Sequence, residues 1–309
     1  MIWNIYLPIA GASVNILLLL GLGGAVGFLS GLFGVGGGFL MTPLLIMAGI
    51  PPLVAAASDS NQIVAASTSA TYAHYRMGNV DFKMGALLLI GGIVGGAFGV
   101  QLIKVLRSMG NADFVIKITY VIMLGVVGSY MFVESLQSLR QASMAEKPMA
   151  PSKPSLYVRI VQGLPFQMKF EKSGVTLSIF LPLILGIFVG VLAAIMGVGG
   201  GFIMVPVMVY LLRMPMHVVV GTSLFQILFT CVNVTVLQAV ENHTVDMILA
   251  ILLLLGSTVG AQFGARLSRR LKGDQLKIIL ASVVLLVMVQ MLFGLIVSPS
   301  VMLSYKGGH

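Results

Sequence analysis

Gly34-Val35-Gly36-Gly37-Gly38-Phe39-Leu40-Met41-Thr42-Pro43 occurs twice in this chain, returning as Gly197-Val198-Gly199-Gly200-Gly201-Phe202-Ile203-Met204-Val205-Pro206 after a displacement of 163 residues, from 34 to 197. Each copy follows an apolar run long enough to cross a bilayer, for which about 20 residues suffice. Three consecutive glycines interrupt a helix, because each costs about 1 kcal/mol against alanine in a helix interior. Backbone groups freed by such a break in lipid must find partners in neighbouring helices, water or a ligand. Paired interruptions in matching halves of a membrane protein point to a transporter's binding site.

The surrounding composition fits that setting. The 309 residues are 58% hydrophobic and 9% charged, with a mean hydropathy of +1.05, a mixture from which no soluble domain of this length is built. The formal charge of +9 would suggest nucleic acid in a soluble protein. Here the basic residues fall in connections between apolar runs, so they describe membrane topology, and no nucleic-acid partner is expected. The single Cys231 reads as a small buried hydrophobe. Met1-Ile2-Trp3-Asn4 has no basic run, so a cleaved signal peptide is not expected, and Trp3 and Tyr6 read as interfacial anchors.

In chain order the spacing predicts eight membrane helices, at about 14–33, 53–76, 82–106, 114–136, 176–196, 216–240, 245–271 and 275–297. Half-length pieces follow the two glycine breaks, from Phe39 to Ile50 and from Phe202 to Leu212. The expected fold is an all-α polytopic membrane protein. Residues 1–137 form a first four-helix repeat, 138–174 an extramembrane linker rich in Pro, Lys and Arg, and 175–309 a second repeat. Within the linker, Gln167–Glu171 alternates like a short strand. The repeat extends to Pro51 and Pro215, Gln62 and Gln226, Asp81 and Asp246, and the ladders Gly91, Gly95, Gly99 and Gly256, Gly260, Gly264. The ladders, like Gly23, Gly27 and Gly31, suit close helix packing. From Val175 to Leu212 the apolar run is 38 residues, about 57 Å as one helix, nearly twice a bilayer crossing. A full crossing, a turn at the glycines and a re-entrant half-helix account for that length. Basic residues at equivalent loops after the third and seventh helices predict two parallel repeats, with the termini and the linker outside the cytoplasm.

A half-helix starting after Gly38 or Gly201 turns free N–H groups and a positive dipole end toward the protein interior, where an anion can bind. Gly36, Gly37, Gly38 and Phe39, with Gly199, Gly200, Gly201 and Phe202, are the first set of candidate binding residues. The polar stretch Ser58, Asp59, Asn61 and Gln62, with its counterparts Thr222, Ser223 and Gln226, is the second. Asp59 has no acidic counterpart, since Ser223 stands at the matching place. An intramembrane carboxylate is a candidate proton carrier. Asp81 and Asp246 read as helix N-caps. The four histidines have no ligand spacing, so neither a metal nor a cofactor is expected. No Ser/His, paired-Asp or HExxH arrangement falls in the spans, so an enzyme is not expected. The first glycine motif lacks a third spaced glycine and a Walker lysine, which argues against nucleotide binding.

With both glycine motifs, their trailing prolines, Gly221-Thr222-Ser223, Thr244-Val245-Asp246 and Gly260–Gly264 assembled, the chain resembles the TauE/SafE family of sulfite and organosulfonate exporters over nearly its whole length outside the linker. The resemblance implies a bacterial inner-membrane carrier that exports a small sulfur-containing anion, such as sulfite, sulfoacetate or thiosulfate, driven by protons. An anion channel with the same cavity and a carrier of a non-sulfur organic anion are the alternatives. A non-transporting membrane assembly factor is a further one. The sequence leaves oligomerisation open.

Overall fold

The computed structural model describes residues 3–33, 38–142, 165–268 and 273–296. The molecule is mostly helical. A β-hairpin, β1 (Asn4–Leu7) and β2 (Ala12–Asn15), precedes α1 (Ile16–Phe33), α2 (Gly38–Met47), α3 (Pro52–Arg76), α4 (Phe82–Ser108) and α5 (Ala112–Ala142). A second hairpin, β3 (Gln167–Phe170) and β4 (Val175–Ser178), precedes α6 (Phe180–Met196), α7 (Gly201–Pro206), α8 (Met216–Leu237), α9 (Met247–Ser268) and α10 (Gly273–Ile296). Both hairpins are antiparallel, pairing Asn4 with Asn15 and Gln167 with Ser178.

Four helical stretches are long and apolar enough to cross a membrane, at Phe82–Ser108, Ala112–Glu134, Val218–Asn242 and Met247–Gly264. Shorter apolar helices include Ile16–Ser30, Gly38–Met47, Phe180–Met196 and Ala281–Ile296. The polar cluster from Ser58 to Gln62 keeps α3 out of that set. Large apolar side chains such as Ile90, Phe98, Val126 and Phe293 face outward, as a lipid-facing surface requires.

The helix boundaries agree with the spacing, and the hairpins are the departure from an all-α reading. The second contains the expected strand near 167. The first, expected to be the start of a helix at 14, lies in an apolar N-terminus whose Pro-Ile-Ala-Gly turn gives little polar contrast. The linker begins later than expected because α5 continues to Ala142, and 143–164 lie outside the described residues.

Glycine stripes decide which helices pair. A Cβ on Gly95 of α4 would lie 2.0 Å from the Ile187 carbonyl oxygen of α6, and one on Gly27 of α1 would lie 2.2 Å from the Ser257 oxygen of α9. Such backbone contact is small-residue packing. Each stripe reaches into the other half of the chain. Thus α1 packs on α9, α4 on α6, and α5 on α10.

Helix directions correct the expected parallel relation between the halves. Thr222, near the start of α8, is hydrogen-bonded to Asp81 at the start of α4. Arg107, at the far end of α4, donates to the Asn242 carbonyl just beyond α8, at 2.6 Å. Lys104 pairs with Glu241 at 2.7 Å. Both helices therefore run from an Asp81 end to an Asp246 end, separated by about 40 Å for the 27 residues of α4 at 1.5 Å per residue. In contrast α3 starts beside Asp246, through Ser58, and ends next to Asp81. Counterparts α3 and α8 are antiparallel, and so are α4 and α9. The halves are inverted.

The reason lies in the glycine breaks. Ile9, before α1, and Pro51, after α2, line the same cleft, so α1 and α2 together enter and leave at the Asp246 end. Ser173, before α6, and Thr222, in α8, both bond Asp81, so α6 and α7 enter and leave at the Asp81 end. Only α3, α4 and α5 then traverse the first half, an odd number. The first hairpin and the second consequently sit at opposite ends instead of on one side.

Candidate functional site

The second glycine motif is a turn built from left-handed backbone. Gly197, Gly199 and Gly200 have φ of +72°, +68° and +76°, a region in which only glycine is unstrained. Space is as restrictive as conformation: a Cβ on Gly199 would meet Cys231 Sγ at 2.4 Å, and one on Gly197 the Ala56 carbonyl oxygen at 2.0 Å. The turn ends α6 and leaves its last carbonyls without helical partners. Side chains supply them. The Tyr120 hydroxyl donates to the Met196 carbonyl, Ser60 Oγ to Gly197 at 3.1 Å, and Gln238 Nε2 to Ala194 at 3.3 Å.

From this turn α7 starts back toward the Asp81 end. Pro206 closes it, and without a proline N–H the chain continues as a π-turn over Val207–Leu211. Of the first motif, Gly36 and Gly37 lie outside the described residues. Gly38 begins α2, where a Cβ would meet Ile63 Cδ1 at 2.3 Å and Val198 Cα at 3.3 Å. The two half-helices meet tip to tip. Phe39 and Phe202, the residues after each glycine triplet, stack at 4.4 Å between ring centroids and 12° between planes, and both are buried. Next to them Ile63 and Ile227, each eleven residues into its helix, form one cluster with Cys231. The halves thus cross about 16 Å along each of these two helices from its start.

Asp59 lies at this crossing, fully buried. Its Oδ2 accepts a hydrogen bond from Thr42 Oγ1 of α2 at 2.9 Å, and its Oδ1 has no partner. Gln62 and Gln226 are also buried, and the Oε1 atom of each is unpartnered. Gln226 Nε2 donates to Thr230 Oγ1 at 2.8 Å. Buried polar atoms without partners are costly in a protein interior, and a bound polar solute or water would relieve them.

The structure separates the other candidate residues from these three. Ser58 and Thr222 hydroxyls accept the backbone N–H of Asp246 and Asp81, each at 3.0 Å, and so join the halves. Ser223 Oγ donates to Val220 O at 3.1 Å. Asn61 reaches outward, with Nδ2 4.0 Å from Met247 Sδ. Gly201 opens α7. Thr42 and Tyr120 are site residues that the sequence reasoning missed. Thr42 carried a signal, being the one polar side chain between Phe39 and Ile50. Tyr120 carried none, since its partner is a carbonyl 76 residues away. Among the described residues no group of three or more His, Cys, Asp or Glu could hold a metal ion.

An open cleft of about 470 Å³ lies at the Asp246 end, bounded by Ile9, Pro51, Arg107, Asp113, His243 and Thr244. The opposite end carries a chain of edge-to-face rings, Tyr75 on Phe82 at 5.7 Å, Phe82 on Phe225 at 5.5 Å and Phe225 on Phe229 at 5.1 Å.

Comparison with known proteins follows the same lines. The chain is 26% identical over 292 residues to the probable membrane transporter protein YunE of Bacillus subtilis, covering 91% of this chain and 98% of that one. It is 28% identical over 274 residues to the probable membrane transporter protein YjnA of the same organism, covering 88% and 97%. A stretch of 107 residues is 31% identical to sulfite exporter TauE/SafE family protein 1 of Arabidopsis thaliana, covering 34% of this chain and 24% of that one. No solved structure matches. Residues 19–291 match the family model for sulfite exporter TauE/SafE, and the chain belongs to that family of membrane transporters.

Proposed function

We propose that this protein is a secondary transporter that exports a small sulfur-containing anion, of the sulfite, sulfoacetate or thiosulfate kind, from the bacterial cytoplasm across the inner membrane in exchange for protons. The observation that carries the reading is the buried Asp59 carboxylate, with one oxygen unpartnered, where the two glycine-led half-helices meet. Substrate oxygens would take the amide groups at the tips of α2 and α7, with Gln62 and Gln226 beside them, and Asp59 would carry the proton.

In this reading α1, α3, α4, α5, α6, α8, α9 and α10 are the eight membrane helices, of which α1 and α6 turn back into the half-helices α2 and α7, in two interlocked, inverted repeats. Inverted repeats with discontinuous helices meeting at mid-depth are a transporter architecture. Orientation follows from the basic residues. Connections at the Asp81 end carry Arg76, Lys83, Lys169, Lys172 and Arg213, against Lys104, Arg107 and Lys117 at the other. The Asp81 end therefore faces the cytoplasm, with Trp3 and Ile296 outside.

Proteoliposome flux tests the proposal. A panel of sulfite, thiosulfate, sulfoacetate, taurine and carboxylates is offered with and without an imposed pH gradient. Gradient-driven accumulation of at least one sulfur anion, lost in Asp59→Asn, is expected. Flux indifferent to the gradient would establish the channel instead, and accumulation of carboxylates alone would remove the sulfur substrate.

A further inference from the structure

Asp81 and Asp246 do more than cap helices. Asp81 Oδ1 accepts the Met84 N–H at 3.1 Å, which is the cap of α4. Its Oδ2 accepts both the N–H and the hydroxyl of Ser173, at 3.1 and 2.5 Å, in the turn of the second hairpin. Asp246 repeats the plan: Oδ1 accepts the N–H groups of Ile248 and Leu249 at 3.1 and 3.2 Å, and Oδ2 accepts the N–H of Ile9, in the turn of the first hairpin, at 3.2 Å. In each case one carboxylate oxygen starts a helix of one half while the other ties down the hairpin of the opposite half. Both aspartates and Ser173 are buried, so these bonds are made away from competing water.

The two ties use different donors: the N–H comes from Ser173 at Asp81 and from Ile9, the counterpart of Lys172, at Asp246. Ala10 stands in the first hairpin where Ser173 stands in the second, 163 residues on, so the tie at Asp246 lacks a hydroxyl bond. The ends differ in the same sense. Beside Asp246 the cleft is open and Ile9 lines it; beside Asp81 the hairpin's Lys172 ammonium sits 6.0 Å above the Phe82 ring, which is packed between Tyr75 and Phe225.

We propose that the two hairpins are the alternating gates of the transport cycle, latched by Asp81 and Asp246, and that the Ser173 hydroxyl biases the resting protein toward closure at the Asp81 end. This rests on the transport reading above. In a carrier of inverted repeats, opening one end and closing the other interchanges the conformations of the two halves. Both latches are made in this structure, so opening either end breaks its own, and the added Ser173 hydroxyl bond makes the Asp81 end the costlier to open. Ser173 and Asp81 act as positioning residues and touch no solute.

Thiol labelling from each side provides the test. Val54, lining the cleft, and its counterpart Val218 at the other end are 6% and 2% exposed, and each serves as a single-cysteine reporter, Val54→Cys or Val218→Cys, for a membrane-impermeant methanethiosulfonate. Ser173→Ala should raise the ratio of Val218→Cys to Val54→Cys labelling about fivefold, the effect of one hydrogen bond of ordinary strength on a two-state population. Ala10→Ser, at the opposite end, should raise the same ratio by a similar factor, and the double change should multiply the two. A staple with no gating role cannot transmit Ala10→Ser to position 218. The proposal is overturned if Ala10→Ser leaves Val218→Cys labelling unchanged, or if Ser173→Ala alters neither site. Solute flux in the same vesicles keeps the readings apart: intact flux without coupled labelling removes the gates alone, and coupled labelling without flux removes the transport reading alone.

Discussion

The first half of the chain and the second build the same parts. Each contributes a hairpin, a helix followed by a shorter one that carries a stacked phenylalanine, and a long helix capped by aspartate. They differ at the centre, where the first half has Asp59 and its hydrogen-bond partner Thr42 and the second has Ser223 and Val205. The scaffold recurs in both halves, because packing and capping must be satisfied in each. What occurs once marks a chemical task that two copies would disturb, since a pair of buried carboxylates would repel.

Substitutions in matched pairs can break or sharpen this contrast. The largest effect is expected where the halves agree most closely. Gly95→Leu and Gly260→Leu each place a side chain where even a Cβ lies 2.0 Å from a backbone oxygen. Both should cost on the order of 3 kcal/mol or more and abolish monodisperse protein in size-exclusion chromatography; survival of either one would show the halves to be packed differently. At the centre, where they differ, Asp59→Asn should lower gradient-driven accumulation at least tenfold while Ser223→Ala stays within about twofold, read as initial rates in proteoliposomes. Equal losses would refute a division of labour.

The inter-half bonds should again respond alike. Ser58→Ala and Thr222→Ala each orphan a buried aspartate N–H, at a cost of about 1–3 kcal/mol, and both should lower the thermal midpoint by several degrees. The smallest effect belongs to the Lys104–Glu241 pair, whose side chains are 53% and 33% exposed. Lys104→Gln should leave the thermal midpoint in place within error, as solvent and salt screen such pairs.

Most helices were legible because their signals are local. Pro51-Pro52 and Met214-Pro215 stop and restart helices through the missing N–H and the restriction on the preceding residue, and the structure begins α3 and α8 there. Asp81 announces the start of α4 through the reach of its carboxylate to the third residue on. In the site, the intramembrane Asp59 and the recurring Gln62 and Gln226 stood out as polar groups in apolar company. Their relatives Ser58 and Thr222 looked equivalent to them, and only contact with Asp246 and Asp81 assigned their hydroxyls to joining the halves. The first hairpin escaped notice because strand pairing between Asn4 and Asn15 leaves little trace in twelve mostly apolar residues.

By itself the sequence determined that the chain is doubled, that it belongs in a membrane, and that both copies break at glycine, since composition, repetition and backbone permissiveness are properties of residues and their neighbours. The inverted relation of the halves was decided by tertiary structure. Lys and Arg in the loops suggested a parallel pair because their reading presumed how many times each half crosses. That number depends on whether the chain turns back after the glycines, and glycine permits either course. Packing between distant segments made the choice: Phe39 lies on Phe202, and the carbonyls at the end of α6 are met by Tyr120, Ser60 and Gln238.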